Sequence, residues 1–401
     1  FIGTERTTQT RTPGEEFSST YSFVPYYMFA EWGFGNGSLQ VGRIPVQYTP
    51  YTLKMIDVAP YIYDETLDMG NYPLDGGKLT WRLGAFDILA FATKTDQNEL
   101  LFGPNGVGGG LVGQPTIALY DNFAPTPTVG GAPFHDAGGH AAGGLLSTTQ
   151  AAGARVTFGT PFRGTLGLTY INAAGPIDAG YDETEVFGAD GRWQFGRFGL
   201  AASYTVNDTS DDDEGLADID DDNTALDAAL TFGLGKLGVD LGWRSIEHNF
   251  AAPGYWTKVG MWANPTNIEG PYLNLNYGLT SSVSLVANAA FYEGANTVAG
   301  LPLVIDETDD ELWNAEIGLR WGLSSTNSLS LGWERVRWSP DGGDDTDEDY
   351  ISIGWAYQIN PSAGFNLSYQ IVDYSPSGAI APYGTAEYKG AIAVAQLKAK
   401  F

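Results

Sequence analysis

The stretch 350-YISIGWAYQINPSAGFNLSYQIV-372 decides the fold. Ile351, Ile353, Trp355 and Tyr357 alternate with Ser352, Gly354, Ala356 and Gln358. Beyond a short break at Ile359–Ser362, Phe365, Leu367, Tyr369 and Ile371 alternate with Asn366, Ser368, Gln370 and Val372. Period-two alternation over two segments of about ten residues is the pattern of antiparallel β-strands with one apolar and one polar face. Working backwards, Trp313, Ala315, Ile317, Leu319 and Trp321 alternate with Asn314, Glu316, Gly318 and Arg320, and Leu237, Val239, Leu241 and Trp243 with Gly238, Asp240, Gly242 and Arg244.

The connections alternate as well. Short ones fall at Thr160–Gly164, Gly196–Arg197, Gly233–Lys236, Leu279–Ser282, Leu323–Asn327 and Ile359–Ser362. Long ones fall near 173–183, 206–223, 248–269, 293–310, 339–349 and 374–387. One short, one long is the rhythm of an all-β, up-and-down transmembrane β-barrel with tight turns at one end and large loops at the other. In the first third, 1–11 reads as a strand, 17–33 and 37–47 as a hairpin through Gly33–Gly37, and 77–95 as two strands with a turn near Gly84–Phe86. The count is about eighteen antiparallel strands, or sixteen if 1–11 or 77–95 is miscounted. Residues 1–401 form one domain, with long loops near 48–76 and 96–146.

Composition narrows the alternatives. No stretch approaches the roughly 20 uninterrupted apolar residues of a membrane helix. The 53 glycines and 13% aromatic residues disfavour helices and favour strands. There is no cysteine, so no disulfide framework. With 48 acids against 20 bases the net charge is -28, which argues against a nucleic-acid partner. The chain starts at Phe1 without a charged or apolar leader and reads as a processed or truncated product.

Trp193, Phe195, Tyr204, Trp243, Tyr277, Trp321, Trp333, Trp338, Tyr357 and Tyr369 stand near strand ends, where membrane barrels carry aromatic girdles. The expected lipid-facing set includes Val239, Leu319, Ile353, Trp355, Leu367 and Tyr369; Asp240, Arg244, Arg320, Gln358, Asn366 and Gln370 should face inward. At the end of the chain Ala393, Ala395, Leu397, Ala399 and Phe401 share one face, and Gln396, Lys398 and Lys400 the other. This strand resembles the closing strand of bacterial outer-membrane barrels, although Ala399 stands where an aromatic is usual. Porins and the barrels of S-layer-homology outer-membrane proteins look similar at this level. The resemblance implies a location in the bacterial outer membrane and assembly by the barrel machinery.

Candidate site residues follow from the faces. Arg82, Arg155, Arg192, Asp227, Asp240, Arg244, Glu316 and Arg320 alternate with apolar neighbours, so lipid exposure is costly and a pore-lining position is expected. The same arginines could instead serve structure, by pairing with Asp190, Asp227, Asp240 and Glu316. Acid runs at 208–222, 306–311 and 341–349, with Asp211, Asp212, Asp213, Asp344 and Asp345 among them, form an acidic vestibule on the loop side. Their bland reading is a solvated, repulsive surface; the sharper one is loose Ca²⁺ binding, since no run has the spacing of a defined calcium loop. No other cofactor is expected. The Gly-, Pro- and Ala-rich 96–146 loop is the first candidate to narrow the lumen. The 48–76 loop, with Tyr51, Tyr61, Tyr63 and Tyr72, is the second; its tyrosines either stack on sugars or pack among loops. His135, Asp136 and His140 lack a fourth metal ligand, and His248 lacks a nucleophilic serine context, so no enzyme is read here.

The functional expectation is a porin: a water-filled channel for passive diffusion of ions and small hydrophilic solutes, with modest cation preference. A sugar-selective channel, or a plugged structural barrel that anchors an envelope layer, are the alternatives. Expected partners are membrane lipid and lipopolysaccharide, small solutes, and two further copies in a homotrimer.

Overall fold

The computed structural model describes residues 2–6, 21–25, 27–55, 69–94, 128–129, 132–133, 150–174, 183–210, 221–260, 262–297, 305, 309–375 and 387–399. Its strands, in chain order, are β1 (Ile2–Arg6), β2 (Tyr21–Pro25), β3 (Met28–Phe34), β4 (Gly37–Val46), β5 (Tyr72–Leu83), β6 (Phe86–Lys94), β7 (Thr128–Val129) and β8 (Ala132–Pro133). There follow β9 (Gln150–Thr160), β10 (Gly164–Ala174), β11 (Glu183–Phe195), β12 (Phe198–Ser210), β13 (Thr224–Leu234), β14 (Leu237–Ile246), β15 (Lys258–Val259) and β16 (Trp262–Ala263). The last are β17 (Ile268–Gly278), β18 (Val283–Glu293), β19 (Glu311–Gly322), β20 (Asn327–Ser339), β21 (Thr346–Asn360), β22 (Ala363–Ser375) and β23 (Tyr388–Ala399). No helix among the described residues is long and apolar enough to cross a membrane.

β3–β6, β9–β14 and β17–β23 make the wall of a barrel, neighbours in sequence being neighbours in space. Every ladder from β3 to β23 is antiparallel. β1 pairs antiparallel with β2, which stands just ahead of β3. The closed wall holds seventeen of these strands, with β23 beside β3; β1 and β2 form a separate two-stranded sheet, and β1, paired to the stretch that leads into β3, makes the eighteenth antiparallel strand, an even number. Four turns explain the tight end: Gly35–Asn36, Gly84–Ala85, Gly196–Arg197 and Gly235–Lys236 each place glycine first, with φ between 51° and 64°. A glycine in that position suits the two-residue hairpin whose twist matches its strands.

The outer face is apolar across its middle. Leu168, Leu200, Leu230, Leu241, Ile317, Leu331, Ile353 and Leu367 are exposed there. Aromatic rings bound this band. Near the turns Phe86 meets Phe158 (5.6 Å between centroids), Phe162 meets Phe195 (5.1 Å) and Phe198 meets Phe232 (6.2 Å). Near the loops Tyr170 meets Phe187 at 4.9 Å, and Trp243, Phe291 and Trp333 point outward beside them in the same belt. From Phe187 to Phe195 is eight residues of strand; at roughly 3.3 Å per residue and 40° of tilt they span on the order of 20 Å. That is close to the apolar height of an outer-membrane barrel. Val239 belongs to this outward set but is covered by its cross-strand neighbours Phe232 and Leu275.

Three expectations need correction. Trp338 is not a girdle residue: it faces inward, 3% exposed, with Nε1 donating to Glu348 at 2.9 Å. The loop expected over 339–349 is shorter: 339 and 346–349 are strand and only 340–345 connect them, because β20 and β21 extend past the apolar band. There Arg335 pairs with Asp349 (2.5 Å) and Arg337 with Asp347 (2.7 Å) on the outer face, so cross-strand ion pairs carry the ladder into water. Strand β5 likewise begins at Tyr72, so Tyr72 is a wall residue and not part of a loop.

Candidate functional site

The interior has two unlike halves. Near the turns the inward positions are polar: Thr231 on β13, Asp240 on β14, Asn274 and Asn276 on β17, Arg320 on β19, Ser328 and Ser330 on β20, and Asn366 on β22. Two recesses open in this half. One, of about 650 Å³, is lined by Asn36, Gln47, Tyr48, Thr80, Arg82, Asp87, Arg155 and Thr157. The other, of about 490 Å³, is lined by Ser324, Thr326, Ser328, Gln358, Asn366 and Lys398. Two of the wall's arginines are paired. Arg82 Nε donates to Asp87 at 2.6 Å. Arg155 grips Asp190 with both terminal nitrogens (2.6 and 2.9 Å) and also donates to Thr169 Oγ1 at 2.7 Å. A bidentate guanidinium–carboxylate pair fixes both side chains flat against the wall.

Toward the loops the inward positions turn apolar. Ile44, Leu74, Ile171, Ile246, Ile268, Leu312 and Val336 are fully buried. What covers them is a pair of loop segments, 47–55 between β4 and β5 and 247–267 between β14 and β17. Leu53 and Phe250 are among the largest fully buried side chains of the described residues. The two segments form one body. Lys54 N donates to Pro253 O at 2.8 Å, and Tyr51 stacks on Trp256 (6.4 Å, 10° between planes). Phe250 meets the same Trp256 edge-on at 5.0 Å. Gly254 permits the contact: a Cβ there would lie 2.2 Å from Pro50 O. The apolar inward ring and the apolar loops thus bury each other, as two layers of a soluble core do.

Polar anchors tie this body to the wall. Tyr51 Oη donates to Asp227 Oδ2 at 2.8 Å and accepts from Arg244 Nε at 3.0 Å. Arg244 in turn pairs with Asp227 at 2.9 Å, donates to Tyr292 Oη at 3.0 Å and lies over the Tyr272 ring at 4.8 Å. Tyr272 completes the cluster by donating to Asp227 Oδ1 at 2.9 Å. Burial pushes the Tyr51 phenol well above its ordinary range, so it stays a donor. Across the barrel Gly260 N donates to Glu334 at 3.3 Å, and Tyr48 Oη donates to Leu89 O at 3.3 Å.

Each candidate pore residue can now be placed. Arg82, Arg155, Arg192, Asp240 and Arg320 stand on inward positions of the turn half or the middle of the wall. Glu316 is also inward and accepts from Asn288 at 2.6 Å. Arg244 and Asp227 face inward too, but they lie beneath the 47–55 segment, with side chains only 12% and 16% exposed. They serve to dock that segment. Asp344 and Asp345 lie in the 340–345 connection on the loop side, Asp345 within 3.5 Å of Arg337. Asp211, Asp212, Asp213, His135, Asp136, His140, Tyr61 and Tyr63 fall outside the described residues, as does nearly all of the 96–146 loop expected to narrow the lumen. Sequence reading missed the part played by the 247–267 segment; its run of buried apolar residues, 250-FAAPGYW-256, was the available signal.

No curated protein matches the chain in sequence. Among solved structures, OccK5 (OpdH) of Pseudomonas aeruginosa superposes with a TM-score of 0.52 at 12% identity, over 88% of this chain and 82% of that one. The outer-membrane protein OpdK of the same organism gives 0.50 at 13% identity, over 86% and 79%. These likenesses support the barrel fold. The family model described as the β-barrel domain of the S-layer protein SlpA matches residues 101–367, two thirds of the chain, and the chain therefore belongs to that family of S-layer protein β-barrel domains.

Proposed function

We propose that this barrel is an outer-membrane porin, a water-filled channel for ions and small hydrophilic solutes, narrowed in its loop half by the joined 47–55 and 247–267 segments. The observation that carries the reading is the polar, charge-paired wall of the turn half, which meets the inserted body at Gln47, Tyr48 and Arg155. A wall of this kind has no use in a solid barrel, because each buried polar group would need a partner. Two solved porins share the barrel fold, at low identity. Acids crowd the loop side, so we expect modest cation preference that fades as salt rises. Small solutes are the cargo, and no catalytic role is proposed.

A second reading is favoured by a specific observation. The loop half is packed like a soluble core, and the family is described as an S-layer protein. On that reading the barrel is plugged and anchors an envelope layer. Conductance of the purified protein in a planar bilayer separates the two. Stepwise, ohmic openings support the channel; a silent membrane with folded protein present supports the plugged anchor. Block of the current by sugars would refine the channel to a selective one.

Assembly as a trimer is part of the proposal. Gly77, Ala92, Ala152 and Ala154 form a flat small-residue area on the outer face of β5, β6 and β9, where a second barrel could approach closely. Native mass measurement in mild detergent tests this, and a monomer would count against it. Lipopolysaccharide beside the outer rim, and loosely held Ca²⁺ among the loop-side acids, complete the proposed partners.

A further inference from the structure

The fixed charges of the barrel are sorted along its axis. Three successive short turns carry Arg163, Arg197 and Lys236, and none of the short turns between described strands contains an acid. Just inside them, Arg192 and Arg320 stand on inward positions. Arg82 is there too, but Asp87 offsets it. Besides Asp87, Glu31 and Asp240 are the only acids this close to a short turn among the described residues. The loop end is the reverse. Glu269, Glu293 and Glu311 lie side by side on the outer rim of adjacent strands, Asp341, Asp344 and Asp345 follow in the 340–345 connection, and the bases Arg43, Arg335, Arg337 and Lys389 at this end are each paired with an aspartate. A chain of net charge -28 has therefore kept a basic mouth at its turn end.

We propose that the barrel conducts as a rectifier, with an anion-admitting turn mouth and a cation-admitting loop mouth in series. This rests on the channel reading above. When the loop side is positive, cations enter at the acidic mouth and anions at the basic mouth. Both kinds of carrier accumulate between the mouths, and the current is large. When the loop side is negative, each kind must enter at the mouth that repels it, the lumen is depleted, and the current is small. The effect depends on mouth fields that reach across the opening. They extend about 10 Å at 0.1 M salt and about 3 Å at 1 M. Rectification is therefore strong in dilute salt and weak in concentrated salt. Uncharged solutes pass equally in both directions.

The test is the current–voltage curve of single channels in a planar bilayer. Orientation is fixed by Asp344→Cys, the only thiol in an otherwise cysteine-free chain, modified by a charged thiol reagent added to one side. At 0.1 M salt the current with the loop side positive should exceed the opposite current by about 1.5- to 3-fold, falling toward unity at 1 M. The triple variant Arg163→Asn, Arg197→Gln, Lys236→Gln alters only exposed turns and should shrink the ratio. Arg192→Gln with Arg320→Gln should shrink it further. A conducting channel with a symmetric curve at 0.1 M overturns the inference and leaves the channel reading standing, as does rectification of the opposite sign. A protein that never conducts removes the channel reading and this inference with it.

Discussion

The loop half and the turn half of the lumen are built from the same strands, with the same alternation, yet they obey different rules. In the loop half the inward side chains are mainly Ile, Leu, Val, Ala and aromatic, with threonines, Asn207 and Glu348 among them, and they are buried with the inserted segments. In the turn half they are Ser, Asn, Asp and Arg, and no described loop segment packs over Asn274 or Ser330 as one does over Ile246 or Ile268. One wall thus carries a soluble-type core above and an aqueous vestibule below. The lesson is that one barrel can place a packed core and a polar lumen at different depths. Substitutions should then be costly in one half and cheap in the other.

The largest effect is expected at the buried ion pair. Asp227→Ala leaves the Arg244 guanidinium enclosed without its carboxylate, a loss of about 3–5 kcal/mol. Arg320→Ala in the turn half should stay within about 0.5 kcal/mol. Urea unfolding in detergent, followed by tryptophan fluorescence, compares them, and equal losses would break the contrast. Next come the apolar anchors. Leu53→Ala should cost about 2–5 kcal/mol through lost burial and the cavity left behind, against almost nothing for Ser330→Ala. Tyr51→Phe keeps the ring against Trp256 but removes the hydroxyl that joins Asp227 and Arg244; a loss of about 1–3 kcal/mol is expected, with a larger conductance if the segment loosens. The smallest effect is expected on the outer rim. Arg335→Ala breaks a half-exposed pair with Asp349 and should cost at most about 1 kcal/mol, less in high salt.

Much of the barrel was legible in the sequence. The faces of 313–321, 351–357 and 365–371 follow from simple alternation, because both faces keep their character across the membrane. The eighteen strands and the short turns follow from the same rhythm. The loop ends of the strands were harder, because there the two faces exchange polarity. On β20 Trp333 is outward, and counting on by twos makes Arg335 and Arg337 outward, which leaves Val336 and Trp338 inside. Trp338 was misread because an aromatic near a strand end suggests a girdle, whereas parity from the middle of the strand places it in the core. Ile44 beside Arg43, Leu74 beside Asp75, and Ile268 beside Glu269 show the same exchange. The docking of Tyr51 on Arg244 was out of reach, since it joins residues far apart in sequence through a folded loop whose path no local pattern encodes.

The division of the lumen can be measured by thiol accessibility, in a chain that has no cysteine of its own. Single cysteines at Asn274 and Ser330 report on the turn half, and single cysteines at Ile268 and Val336 report on the loop half of the same two strands. A small hydrophilic thiol reagent is added to folded protein in lipid vesicles. The account predicts rapid modification at Asn274→Cys and Ser330→Cys, and reaction slower by about 100-fold or more at Ile268→Cys and Val336→Cys, since opening a packed core costs several kcal/mol. Similar rates at all four positions would mean that no packed body fills the loop half, and would contradict the account.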